Sequence, residues 1–296
     1  MTAPQDALPS MPGAYRWYYF DVVAGDVTAV VIFMVGSLFS PRYARSRGNP
    51  QAHSAVNFAL YENGEAKQWV LSEYDRVSIG DDTLRIGNSS LRWNVDGTMQ
   101  VTVSERTPVW GRAAQAELVF SPEVRGHEAH CLVDGLSHHW HPYAPRGDAT
   151  LKLPLRNRTL HGRGYHDGNH GDVPLGTDLE GWDWSRTHDA AETRITYRPW
   201  GDGRAPLSVT ATNDGVKHER RGFPRDDTTR TKWGLPVPAS LHGRRTTLLE
   251  SSPFYARLEA ADDGTHTVCE VADFKKFRSP LITWMAHFRT RVEASR

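Results

Sequence analysis

Leu91-Arg92-Trp93-Asn94-Val95-Asp96-Gly97-Thr98-Met99-Gln100-Val101-Thr102-Val103 is the stretch on which the fold turns. Leu91, Trp93 and Val95 face one side of an extended chain, Asp96-Gly97 is a turn dipeptide, and Met99, Val101 and Val103 return. Apolar alternation around Asp-Gly predicts a β-hairpin. The same pattern recurs outward. Leu84-Arg85-Ile86 follows Gly80-Asp81-Asp82, and Ile195 and Tyr197 lead through Gly201-Asp202-Gly203 to Leu207 and Val209. Residues 254–258 turn at Asp262-Asp263-Gly264 into 266–271. No long stretch has helical periodicity, and residues 281–292 read equally as strand or short helix. Many short strands with Gly, Asp and Pro turns predict an all-β chain of antiparallel sandwiches or barrels.

Two halves echo one another. Tyr15-Arg16-Trp17-Tyr18-Tyr19-Phe20-Asp21 is an aromatic strand opening, and Gly181-Trp182-Asp183-Trp184-Ser185-Arg186 is a second of the same kind. With a crossing at Leu175-Gly176-Thr177-Asp178, the simplest architecture is two antiparallel β-barrel domains, 1–178 and 179–296. The first would carry most of the active site, and a barrel mouth is a natural place for an apolar ligand.

Charge narrows the function. Basic and acidic side chains number 35 each, so there is no excess of Lys and Arg to neutralise phosphates, and a nucleic-acid partner is not expected. Cys131 and Cys269 form no disulfide framework, although a single bridge between them stays open. Residues 1–11 have neither a basic n-region nor an apolar core, so no secretory signal is expected. The apolar run 27–39 falls short of the roughly 20 residues of a membrane span and reads as a buried strand pair, giving a soluble or peripheral protein. Arg42, Arg45, Arg47, Arg220, Arg221 and Arg225 are either solvated loop residues or a contact for anionic lipid.

Eight of the fourteen histidines lie between His127 and His170, a density that packing alone does not explain. Here His138-His139-Trp140-His141 precedes Gly162-Arg163-Gly164-Tyr165-His166-Asp167-Gly168-Asn169-His170-Gly171-Asp172. In an extended strand Tyr165, Asp167 and Asn169 share one face, and His166, Gly168 and His170 the other. The flanking glycines would let backbone and substrate approach closely. His138, Trp140, Tyr165 and Asp167 together would offer a base, a π face, a hydroxyl and a proton donor, while His166, Asn169 and His170 are candidates for substrate binding. A metal held by His138, His139, His141, His166 and His170 is the competing chemistry, but no metal-ligand spacing supports it and no metal is expected. There is no G-x-S-x-G elbow, and Gly162-x-Gly164 opens no helix, so neither a serine nucleophile nor a dinucleotide cofactor is expected.

At these residues the chain resembles the carotenoid 1,2-hydratase (hydroxyneurosporene synthase) family, part of a wider superfamily of double lipocalin-like (calycin) proteins. The resemblance runs through Trp17-Tyr18-Tyr19-Phe20-Asp21, Gly36-Ser37-Leu38-Phe39-Ser40-Pro41-Arg42-Tyr43 and His53-Ser54-Ala55-Val56-Asn57-Phe58-Ala59-Leu60-Tyr61. It continues through Gly164-Tyr165-His166-Asp167-Gly168-Asn169-His170-Gly171, Trp182-Asp183-Trp184, Ser252-Pro253-Phe254-Tyr255-Ala256-Arg257 and the tail 277–289. It implies two lipocalin-like barrels and a cofactor-independent lyase that adds water to the terminal C1–C2 double bond of an acyclic carotene such as neurosporene or lycopene. The catalytic His, Trp, Tyr and Asp that it implies fall on His138, Trp140, Tyr165 and Asp167. The wider superfamily often reads Tyr-His-Asp-His-Asn-Trp-Gly, whereas Gly168 and His170 stand at the variable places here. In this reading Asp167 gives a proton to C2, Trp140 and Tyr165 face the C1 cation, and His138 holds the attacking water and takes its proton. Such a substrate lives in a bilayer, so peripheral attachment to the cytoplasmic side of the inner (photosynthetic) membrane is expected. The alternatives are a pericyclase or isomerase of the same superfamily, a non-catalytic binder of apolar ligands, and a metal-dependent hydrolase.

Overall fold

The structure is a computed structural model that describes residues 8–46, 48–133, 138–201, 206–220, 229–262 and 264–293. Its first run is β1 (Tyr15–Ala24), β2 (Val27–Val35), the short helix α1 (Pro41–Ser46), β3 (Ser54–Glu62), β4 (Glu65–Tyr74), β5 (Val77–Ile79) and β6 (Thr83–Ile86). It continues through β7 (Ser89–Trp93), β8 (Met99–Arg106), β9 (Ala113–Val124), β10 (His130–Cys131), β11 (His139–Leu153) and β12 (Arg158–Gly171). The second run is β13 (Gly181–His188), β14 (Glu192–Trp200), β15 (Leu207–Thr212), β16 (Gly215–Arg220), β17 (Thr247–Ser251), β18 (Tyr255–Asp262) and β19 (Thr265–Asp273). Helices α2 (Phe274–Phe277) and α3 (Pro280–Arg289) and a last strand, β20 (Arg291–Glu293), follow.

The opening hairpin forms, with Leu91 opposite Val101 and Trp93 opposite Met99. Its link is a type I turn closed by a left-handed glycine: Gly97 N donates to Asn94 O and Asn94 N to Thr98 O, both at 2.9 Å, with Gly97 at φ 86°. That three-residue loop places Val95 at the tip, 98% exposed, rather than in the inward row. Residues 27–39 hold one strand, β2, not a strand pair. Gly36 ends it at φ 73°, where a Cβ would meet Ala14 O at 2.4 Å. The undecided tail is helix and then strand.

The sheets run β20-β4-β3-β2-β1-β12-β11-β9-β8-β7-β6-β5, with β10 on β11, and β16-β15-β14-β13-β19-β18-β17. All pairings are antiparallel except β20 on β4, which brings the tail of the second run back to the first sheet. The first sheet curls until β4 approaches β8 and β3 approaches β6. Tyr18, Phe20 and Val22 of β1 enter this curl with Phe33, Phe58, Trp93 and Phe120 and fill it. The alternate residues Tyr15, Trp17 and Tyr19 face outward against Trp182, Trp184, Ile195 and Tyr197 of the second sheet. Burial on both faces explains why β1 is almost continuously apolar. The apolar cavity lies between the sheets, and the interior of the curl is occupied by side chains.

Candidate active site

β12 brings the site together. Its register on β1 sets Asp167 opposite Tyr19 and Asn169 opposite Trp17, and on β11 it sets Asn169 opposite Trp140. Tyr165, Asp167 and Asn169 therefore face the second sheet, as the alternation predicts. The glycines serve the other face. A Cβ on Gly164 would meet the Phe120 ring at 2.7 Å, and one on Gly168 the Tyr143 ring at 2.7 Å and Trp17 O at 2.8 Å. Rings of the protein, not substrate, use that space, which is why position 168 carries no side chain here.

Asp167 is the centre. Its Oδ2 accepts from Trp140 Nε1 at 2.6 Å and from Tyr165 Oη at 2.7 Å. Burial pushes its carboxyl up to about 7, against the pull of those two donors, and the negative charges of Glu270 and Asp21 add to the rise. With both donors on Oδ2, the acid proton belongs on Oδ1. Trp140 and Tyr165 are fully buried, border neither of the two cavities described below, and hold the carboxyl by these two bonds. Tyr165 is pushed far above the ordinary phenol range by burial and by the adjacent Asp167, and so stays a donor.

His138 is buried beside this group and its ring is fully engaged. Nδ1 lies 2.6 Å from Tyr15 Oη, and Nε2 lies 3.0 Å from both Tyr197 Oη and Asn169 Nδ2. With the Asn169 amide donating to Nε2, the ring proton sits on Nδ1 and donates to Tyr15. The ring also stacks on Trp182 at 5.6 Å and 14°. A water-holding base needs a free nitrogen facing the reaction space. His138 borders neither of the two cavities described below but bonds Asn169 and Tyr197, which line the smaller one.

Two cavities meet here. The larger, about 430 Å³, lies between the sheets and under α3, lined chiefly by Trp17, Met34, Phe39, Trp69, Trp182, Phe254, Tyr255, Met285 and Phe288. A second of about 30 Å³ is bounded by Trp17, Tyr19, Asp167, Asn169, Trp182, Trp184, Tyr197 and Glu270. Trp17, Tyr19, Trp182 and Glu270 border both. Beneath them lie two buried arginines paired with three carboxylates. Arg186 holds Asp21 at 2.8 Å, and Arg257 holds Glu270 at 2.7 Å and Glu250 at 3.2 Å.

The remaining candidates fall elsewhere. His166 sits inside the curl, stacked on Phe20 at 3.9 Å with Nδ1 against Tyr19 O at 2.9 Å, and burial drives its imidazole down to about 3. His170 stacks on His139 at 4.8 Å, again on the face away from Asp167. Neither borders the cavities, because alternation sends them to the opposite side of β12. Among the described residues no group of three or more His, Cys, Asp or Glu is arranged to hold a metal ion. Cys131 and Cys269 are both free thiols, Cys131 bonded to Val133 O and Cys269 to Ser240 Oγ. Of the arginine set, Arg42 is exposed on α1 and Arg220 reaches Cys131 O, while Arg47, Arg221 and Arg225 lie outside the described residues. Trp17, Tyr19, Trp182, Trp184, Tyr197 and Glu270 escaped sequence reasoning as site residues. The paired aromatic openings of β1 and β13 were the signal for Trp17, Tyr19, Trp182 and Trp184.

The fold is lipocalin-like and matches solved structures. A Nitrosomonas europaea protein described as AttH superposes with a TM-score of 0.55 at 12% identity, covering 91% of this chain and 98% of that one. Kievitone hydratase from Nectria haematococca gives 0.50 at 7% identity, covering 90% of each chain. Sequence relatives are nearer. The acyclic carotenoid 1,2-hydratase of Thiocapsa roseopersicina is 34% identical over 97% of this chain and 75% of that protein. The enzyme of the same name from Rubrivivax gelatinosus is 31% identical over 86% of this chain and 66% of that protein. The family model for carotenoid hydratase CrtC matches residues 31–295, from the middle of β2 past β20. The chain therefore belongs to the carotenoid hydratase CrtC family.

Proposed function

We propose that the protein hydrates the terminal C1–C2 double bond of an acyclic carotenoid such as neurosporene or lycopene, without a cofactor. One observation carries this reading: a carboxyl poised near pH 7 borders a water-sized aromatic cavity that shares four wall residues with an apolar chamber. Oδ1 of Asp167 gives its proton to C2, and the π pair of the alkene becomes the new C–H bond. The tertiary cation at C1 is met by the faces of Trp17, Trp182 and Trp184, an attraction of about 0.5–2 kcal/mol per ring when dry. Trp140 and Tyr165 stabilise the carboxylate left on Asp167 through the two hydrogen bonds they already make. Water then adds to C1 to give a tertiary alcohol. One or two waters fit, since a cavity of about 30 Å³ exceeds the ~10–15 Å³ that a single water centre needs. Asn169 and Tyr197, held by His138, orient it.

In this reading only the end of the polyene enters the chamber, and the remainder leaves beneath α3, whose Met285 and Phe288 line it. Leu281, Trp284, Met285 and Phe288 of α3 are exposed around that exit, and no helix among the described residues is long and apolar enough to cross a membrane. We place the protein at the surface of a bilayer, on the cytoplasmic side of the inner membrane, with α3 and Arg42 toward the lipid. Flotation with anionic liposomes tests the attachment, and the triple change of Leu281, Trp284 and Phe288 to Ser should abolish it. The chemistry is tested by incubating the protein with lycopene in ¹⁸O water. Heavy oxygen in a tertiary alcohol supports hydration, a rearranged skeleton points to a pericyclase or isomerase, and unchanged bound pigment points to a carrier. Loss of activity with a chelator would point to a metal-dependent enzyme. Asp167→Asn should lower hydration by at least ~10³-fold while pigment still binds.

A further inference from the structure

The small cavity has two carboxyl groups in its wall, Asp167 from β12 and Glu270 from β19. The proposed hydration uses only the first. It also leaves one proton without an acceptor, because the water that adds to C1 must lose a hydron and the ring nitrogens of His138 are engaged. Glu270 alone of the two carboxyls also borders the apolar chamber. It is therefore placed where an incoming chain end and a water would meet. Its Oε1 accepts from Arg257 Nη2 at 2.7 Å. That guanidinium is 1% exposed and is also shared with Glu250, Tyr61 and Tyr255. One buried cation facing two carboxylates leaves an excess of negative charge at the junction of the cavities, which favours a cation formed there.

We propose that Glu270, positioned by Arg257, is the second catalytic carboxylate of this site and the base that takes the proton of the attacking water. This rests on the hydratase reading. In the balanced step the C2–H bond forms from the Asp167 Oδ1 proton and the C1–O bond forms from water. The water O–H bond breaks onto Glu270, which returns the proton to Asp167 through solvent before the next cycle. Environments that differ in this way are how paired carboxyls divide into acid and base. Asp167 lies among neutral donors, whereas Glu270 lies against a guanidinium. The other charged or titratable groups facing Glu270 are Tyr255 on β18, Tyr19 and Asp21 on β1, and Tyr197 on β14. Burial pushes the three phenols far above their ordinary range, so they stay neutral across the working pH, and Asp21 is matched by Arg186.

The test is the pH dependence of kcat with lycopene, measured for the full chain, Glu270→Gln, Glu270→Ala and Glu250→Gln. Glu270→Gln should lower kcat by 10²- to 10⁴-fold with KM changed only a few-fold, and should remove the fall in rate on the acid side. Added formate should restore Glu270→Ala at least tenfold. Glu250→Gln makes a similar charge change beside Arg257 but outside the small cavity, and should keep the acid-side fall. Wild-type kcat and an intact acid-side fall in Glu270→Gln would overturn the assignment, as would loss of that fall in Glu250→Gln alone. If the unmodified protein forms no ¹⁸O-labelled alcohol, the hydratase reading itself fails. A fully active Glu270→Gln beside an active wild type sinks only the role of Glu270.

Discussion

His166 and Asp167 are neighbours in the chain and live in two different media. The interior of the first curled sheet, which receives His166, is filled: Tyr18 meets Trp93 edge-on at 5.6 Å and Phe20 meets Phe120 at 6.4 Å. The space between the sheets, which receives Asp167, is just as aromatic, yet it keeps two cavities and two buried arginines paired with three carboxylates. Burial acts on both residues and favours the neutral form of each, because removal from water disfavours the charged form whichever sign it has: the imidazole is neutral at pH 7, and the carboxyl is neutral below about 7. For the imidazole that means loss of its proton and chemical silence. For the carboxyl it means retention of a proton that can be given away. One step along a strand separates a packing residue from an acid.

The comparison breaks most readily at the rate. Asp167 must carry its proton to act, and its carboxyl stands at about 7, so activity should fall about tenfold per pH unit above that point. A rate flat from pH 6 to 9 would remove Asp167 as the donor. Stability gives the next largest effect. The folded-state value is raised above the ordinary 3.8, so a contribution to stability present below pH 4 is lost as pH rises through about 7. At 1.36 kcal/mol per unit this amounts to about 4 kcal/mol. Denaturant melts of Asp167→Asn, which lacks the titration, should show its stability relative to wild type growing by up to that amount between pH 4 and 8. An unchanged difference across this window would mean that the carboxyl is not buried in a dry setting.

His166→Ala tests the other medium. It should cost about 2–4 kcal/mol of stability through the lost stack and the cavity left behind, while kcat stays within a few-fold of wild type. A collapse of kcat with an unchanged melt would return His166 to the site. The smallest effect separates two roles for Trp140. Trp140→Phe keeps a ring but removes the N–H that steadies the carboxylate, so the alkaline fall in rate should move up by about one pH unit. If Trp140 faced the cation instead, kcat would be nearly unchanged and the pH profile would stay in place.

Much of this was legible in the chain. Period-two runs around Asp96-Gly97, Asp262-Asp263-Gly264 and the other turns carry the strand assignments, and spacing alone puts Tyr165, Asp167 and Asn169 on one face. Val95 was misplaced because a turn dipeptide does not say how many residues the loop takes from each strand. The helix α3 was obscured by a tail as apolar as a strand, with residues facing both chamber and exterior. Glu270 carried no local signal at all: it lies 103 positions beyond Asp167, and only the packing of the second sheet on the first brings the two to one cavity.

Local physics, acting over a few residues, is enough to make the chain a set of strands and to choose which side of β12 holds the acid. What it cannot choose is which of two buried faces becomes filled core and which keeps room for a ligand. That depends on how far a sheet curls and on what packs against its outside, and both are set by contacts between residues far apart in the chain. The sequence by itself determined the strands and the family; the tertiary structure decided where the cavities lie, that both ring nitrogens of His138 are hydrogen-bonded, and that Glu270 shares a cavity wall with Asp167.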